Sequence, residues 1–93
     1  MNSSGLGESV HTLRVRALDD DGGAVRLTLH GELDREEVGG FSDAIRATVR
    51  EHPGRAITCD ARGLRFLDAA GIRALLVCHE WAGAAGCRFT ITT

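Results

Sequence analysis

Two short segments bring acids and small residues together at spacings that invite a chemical reading: His30-Gly31-Glu32-Leu33-Asp34 and Phe66-Leu67-Asp68-Ala69-Ala70-Gly71-Ile72. Asp34 and Asp68 each stand where a helical pattern begins, so either carboxylate can accept hydrogen bonds from the free amides of a first turn. For Asp34, followed by Arg35-Glu36-Glu37, capping is one role and contact with a partner the other. Asp68 carries the same two readings, which are compatible. Nucleophilic catalysis has no support: no serine sits in a Gly-x-Ser-x-Gly elbow, and no histidine with an acidic orienter accompanies one. The chain is not expected to be an enzyme.

His30, His79, Cys59, Cys78 and Cys87 are the residues from which a zinc site would be assembled. None are paired at ligand spacing, so satisfied histidines and buried thiols are the expectation, with no metal and no cofactor. Asp19-Asp20-Asp21-Gly22-Gly23 lacks the downstream glutamate of a calcium loop and reads as a turn. Trp81, near the end of the second helical pattern, is expected in the core rather than as a binding anchor.

These residues must be positioned by regular elements. Residues 1–10 are rich in Ser and Gly and are expected to form a loose leader, with one domain over residues 11–93. Leu13, Val15 and Ala17 alternate with polar residues, as do Val25, Leu27 and Leu29, predicting a strand hairpin. Gly31-Glu32-Leu33-Asp34 is expected to leave the second strand and enter a helix. On that helix Val38, Phe41, Ile45, Thr48 and Val49 face inward, Gly39-Gly40 weakens the first turn, and His52-Pro53-Gly54 stops it. Arg55 to Asp60 reads as a short buried strand, and Ala61 to Leu67 as a connection tied to the core by Leu64, Phe66 and Leu67. A second helix starts at Asp68 with Ile72, Leu75, Leu76 and His79 on its inner face, and Gly83 to Gly86 ends it. Cys87, Phe89 and Ile91 mark a last strand. The fold class is α/β: a mixed four-stranded sheet whose hairpin is followed by two right-handed parallel crossovers, with helices packed on it.

Composition agrees with one domain. Ninety-three residues, 43% hydrophobic and 26% charged, can bury a single modest core. The net charge of −2 and the scatter of the bases, all arginine, exclude a phosphate-tracking nucleic-acid surface as a first reading. Three widely spaced cysteines suggest no disulfide framework. Neither a signal peptide nor an apolar stretch of bilayer-spanning length is present, so no membrane insertion and a cytoplasmic location are expected.

The pairing of Gly31-Glu32-Leu33-Asp34 with Cys59-Asp60 and the later Phe66-x-Asp68-x-x-Gly71 resembles the signature segments of the STAS domain, the family of the bacterial anti-sigma factor antagonists. The resemblance runs from about Leu13 to Thr92. It implies a non-enzymatic switch that binds an anti-sigma factor of the serine-kinase type and is turned off when that kinase phosphorylates it. It also implies a partner-binding surface at Asp34, Asp68, Ala69, Ala70, Gly71 and Ile72. The family's phosphoacceptor, the Ser or Thr just before the motif glycine, falls on Ala70, and Ala69 offers no hydroxyl either. An added phosphate would bring roughly 1.5–2 negative charges to the helix start. Alanine leaves that face only in its unmodified form. Two alternatives belong to other classes: an accessory or structural STAS subunit of a larger signalling or transport complex, and a ligand-sensing STAS module. The C-terminal helix usual in the family is missing after the last strand, from which uncovered apolar sheet and a homodimer, or exchange of an element, are expected.

Overall fold

The computed structural model describes residues 12–19 and 23–93. The expected leader, and most of the aspartate turn after the first strand, lie outside the described residues. Strand alternation sets the architecture. Val25, Leu27 and Leu29 are fully buried on one side of β2 (Val25–Leu33), as are Ile57 and Cys59 on β3 (Ile57–Leu67). β1 (Leu13–Asp19) runs antiparallel to β2, whereas β2 with β3 and β3 with β4 (Phe89–Thr92) are parallel, giving one sheet in the order β1-β2-β3-β4. The two crossovers are α1 (Val38–Glu51) and α2 (Ala69–Ala84). Both step the same way across the sheet, so both helices cover the same face. The predicted class, element order and strand directions are those observed.

The core lies between that sheet face and the helices. α1 contributes Phe41, Ile45, Thr48 and Val49, at the predicted positions. Thr48 is accommodated because its hydroxyl donates to the Ala44 carbonyl at 2.8 Å. Gly39 and Gly40 do not delay the helix; they lie exposed in its first turn. Burial pushes the Cys59 thiol up to about 12, with Cys78 and Asp60 adding to the effect. All three cysteines are free and buried.

Three expectations are corrected. First, the chain does not leave β2 at Gly31: the strand continues to Leu33, which is fully buried. Second, Ala61 to Leu67 is not a connection but the second half of β3, paired with the extended end of β2 through Leu33↔Leu67 across two register irregularities. β4 reaches only Asp60, so this half of β3 has one free edge. Phe66 and Leu67 are exposed there rather than tied to the core, while Leu64 does pack against it. Third, the inner face of α2 is Gly71, Ala74, Leu75, Cys78 and Ala82. Ile72 and Leu76 point outward, His79 is exposed with its ring edge-on to Phe89, and only Leu75 of the predicted face is buried. Small residues at helical spacing let the helix approach the sheet closely, and that closeness outweighs burial of the larger side chains.

The face of the sheet away from the helices is not apolar. It carries Arg26, Thr28, Thr58, Asp60 and Arg62, with Arg26 and Arg62 both bonded to Asp60 at 3.2 and 2.8 Å. The side-chain and backbone hydrogen bonds of Arg62, joined by Arg26, hold the Asp60 carboxyl well below the usual carboxylate range. Uncovered apolar sheet, the ground for expecting a homodimer, is therefore not found on this face. Trp81 is half-buried against the core, with the Arg46 guanidinium 5.5 Å from its ring centre. No described helix is long and apolar enough to cross a membrane.

Candidate functional site

Both signature segments end at the carboxyl ends of the parallel strands, where open α/β sheets present their loops. Asp34 follows β2. Its Oδ1 accepts from the amides of Glu36 and Glu37 at 3.1 and 3.2 Å, and its carbonyl accepts from Glu37 at 3.0 Å. It therefore caps the turn that leads into α1 and is not the N-cap of the helix itself, a position held by Glu37, whose side chain makes no capping bond and accepts from the Thr12 amide at 3.2 Å. Asp68 follows β3 and is the N-cap of α2, as predicted: its Oδ1 accepts from the Gly71 amide at 2.9 Å.

Asp68 also does something its sequence neighbours do not reveal. Its Oδ2 accepts from the Arg35 amide at 3.2 Å, and its own amide donates to the Leu33 carbonyl at 3.4 Å. One residue thus fastens the end of β2 to the start of α2. Gly71 makes the close approach feasible, because a Cβ there would collide with the Leu33 carbonyl oxygen and the Leu67 side chain. This is a steric requirement, independent of φ.

The result is a cavity of about 570 Å³ lined by Asp34, Arg35, Glu36, Asp68, Ala69 and Ala70. Four of the predicted site residues, Asp34, Asp68, Ala69 and Ala70, meet there. Ala69 is exposed and Ala70 half-buried. The other two separate from them: Gly71 is buried beneath the helix start, and Ile72 stands exposed on the outer side of α2. Sequence reasoning missed Arg35 and Glu36 as lining residues. It also missed that Phe66 and Leu67 before α2, and Leu76 and Val77 midway along it, join Ile72 as exposed apolar side chains. The recurrence of Gly71, Ala74, Cys78 and Ala82 was the available signal, since small residues in register mark a close-packed face and release the bulky ones to the outside. His30, His79 and the three cysteines are not brought together as a metal site; among the described residues no group of three or more such ligands forms.

Comparison with protein families matches residues 16–93 to the family described as Mlab, STAS domain. No curated protein sequence matches the chain. Among solved structures, an anti-sigma factor antagonist from Mycobacterium paratuberculosis superimposes with a TM-score of 0.73 at 25% identity, over 85% of this chain and 65% of that one. The present chain thus spans just under two thirds of that relative. An antisigma-factor antagonist STAS domain from Rhodobacter sphaeroides gives 0.72 at 18% identity, covering 87% of this chain and 86% of the other. The anti-sigma factor antagonist SpoIIAA in its unphosphorylated form gives 0.65 at 20% identity, covering 84% and 71%. At those lower identities the last two establish a shared fold.

Proposed function

The chain belongs to the STAS domain family, of the Mlab type, and on that premise we propose that it is a non-enzymatic regulatory binding module of the anti-sigma factor antagonist kind. Its partner in this reading is an anti-sigma factor of the serine-kinase type, and the docking end is the cavity at Asp34, Asp68, Ala69 and Ala70 with the exposed apolar side chains beside it. One observation carries the reading: Asp68 clasps the two signature segments together, placing Ala70 on the cavity wall within reach of a docking protein. The exposed apolar side chains of Phe66 and Leu67 at the end of β3 and of Ile72, Leu76 and Val77 along α2 suit burial against another chain. The position before Gly71 has no hydroxyl to accept a phosphoryl group, so the module binds without that off-switch.

Binding assays against a sigma-regulating serine kinase with ATP test this. The wild type stays bound and takes up no phosphate. Ala70→Ser binds, is phosphorylated on the introduced hydroxyl and is then released, while Ala70→Asp binds weakly from the start. Phosphate appearing on wild-type Ser42 or Thr58, or full retention by Ala70→Asp, would falsify the reading.

A second reading has its own support. Five exposed apolar side chains are more typical of a permanent interface than of a reversible one, which fits an accessory subunit of a larger complex. Co-purification with a scaffold or transporter ATPase at fixed stoichiometry, with no exchange on dilution, selects it over the first.

A further inference from the structure

The helix-free face of the sheet takes no part in the docking end, and its charges are arranged differently. Strand alternation places Arg14 and Arg16 of β1 and Arg26 and His30 of β2 on this face, with Asp60 and Arg62 of β3. Two shallow depressions lie side by side there. One, of about 470 Å³, is lined by Thr12, Arg14, His30, Gly31, Gly63 and Arg65. The other, of about 440 Å³, shares His30 and Gly63 and includes Asp60 and Arg62.

The first depression is assembled across three strands. Arg14 is the cross-strand partner of His30, and His30 is the partner of Gly63. A Cβ at Gly63 would come within 2.5 Å of His30 Nδ1 and 2.6 Å of the Leu29 carbonyl oxygen. Glycine is therefore what lets the imidazole lie across β3. Arg65 is the residue passed over where the β2–β3 register shifts between Leu64 and Phe66, and it borders the same depression.

Charge compensation separates the two depressions. Asp60 is the one carboxylate among the described residues lining either of them, and both its oxygens are taken: Oδ1 by Arg62 Nε at 2.9 Å, Oδ2 by Arg62 at 2.8 Å and Arg26 at 3.2 Å. The guanidinium groups of Arg14, Arg16 and Arg65 have no acceptor among the described residues. Glu32, next along β2, lines neither depression. On a chain of net charge −2 this is a local excess of positive charge, in a concave site that concentrates its field. The planar fork of arginine matches phosphoryl oxygens in bidentate fashion.

We propose that the depression bounded by Arg14, His30 and Arg65 on the helix-free sheet face is a binding site for a compact, multiply charged phosphoryl anion. Arg14 and Arg65 grip its oxygens from β1 and β3, His30 and the Thr12 hydroxyl supply further polar contacts, and Arg16 adds long-range attraction.

The test is a titration of the full chain with pyrophosphate, followed by amide and imidazole NMR shifts. Saturable shifts at Thr12, Gly31, Gly63 and the His30 ring are expected, with affinity falling roughly ten-fold or more in Arg14→Gln/Arg65→Gln, the scale of lost charge-assisted hydrogen bonds. The charge-matched control Arg50→Gln/Arg73→Gln, with both changes on the helix layer, leaves the affinity unchanged. Both altered arginines are exposed and make no side-chain bonds among the described residues, and an unchanged amide spectrum elsewhere verifies that the variant is folded. Co-sedimentation with phosphatidylcholine vesicles containing phosphatidic acid, abolished by the same double substitution, assigns the phosphoryl group to a lipid headgroup. Pyrophosphate binding without co-sedimentation assigns it to a free anion. Shifts spread equally over Arg50, Arg73 and Arg88, undiminished affinity in the double variant, or preference for a poly-glutamate peptide over pyrophosphate would overturn the proposal.

Discussion

α1 and α2 connect equivalent strands and lie on the same sheet face, yet they pack by opposite means. α1 buries bulky residues, with Phe41 and Ile45 at zero exposure, and turns Asp43, Arg46 and Arg50 toward solvent. α2 buries glycine, alanines and Cys78 together with Leu75, and leaves Ile72, Leu76 and Val77 about half exposed. The difference teaches that a helix can be anchored by closeness instead of bulk. When it is, its large apolar side chains become available to another molecule.

The contrast can be broken most sharply at Phe41. Phe41→Ala should cost ~3–5 kcal/mol of stability, the scale of a truncated buried aromatic, read as a lower denaturation midpoint with an unchanged slope. A loss below ~1 kcal/mol would mean that bulk is not what anchors α1. Ala82→Leu tests the opposite device: enlarging a fully buried small residue of α2 should cost ~1–3 kcal/mol through overpacking. A neutral or stabilising result in the same denaturation assay would show spare room under the helix and remove the closeness argument. Asp68→Ala should cost ~1 kcal/mol by loss of the N-cap. Faster hydrogen exchange is expected at both the Gly71 and Arg35 amides, because one carboxylate serves both; exchange changed only at Gly71 would dissolve the clasp. Leu76→Ser sits at the small end, within ~0.5 kcal/mol in stability, while weakening capture of the partner. Unaltered capture would move the docking end away from the outer side of α2.

Legibility from sequence followed the same division. α1 was read correctly because its inward positions are both apolar and large, so period and size point the same way. The sequence pattern misassigns the inner face of α2 because Ile72, Leu75, Leu76 and His79 recur at helical spacing and offer a plausible face of their own, and a burial argument weighted by size selects it. Asp68 as a cap was readable from its place before the helical pattern. Its bond to the Arg35 amide, 33 residues away, was not, since local pattern carries no information about which loops meet. The extension of β2 to Leu33 and of β3 to Leu67 was hidden for a related reason. Each strand end is regular only because the other pairs with it, across two register irregularities that disturb the alternation.

Sequence alone determined the α/β class, the order of elements, the parallel crossovers and the family resemblance, which assigns Ala70 to the position of the family's hydroxyl. These rest on periodicity, turn chemistry and residue identity, all local properties of the chain. Tertiary structure decided which side of α2 is dry, which carboxylate joins the two signature segments, and how three strands gather Arg14, His30 and Arg65 over Gly63. Such features depend on the distance of closest approach between elements, a quantity set by the packing of residues far apart in the chain.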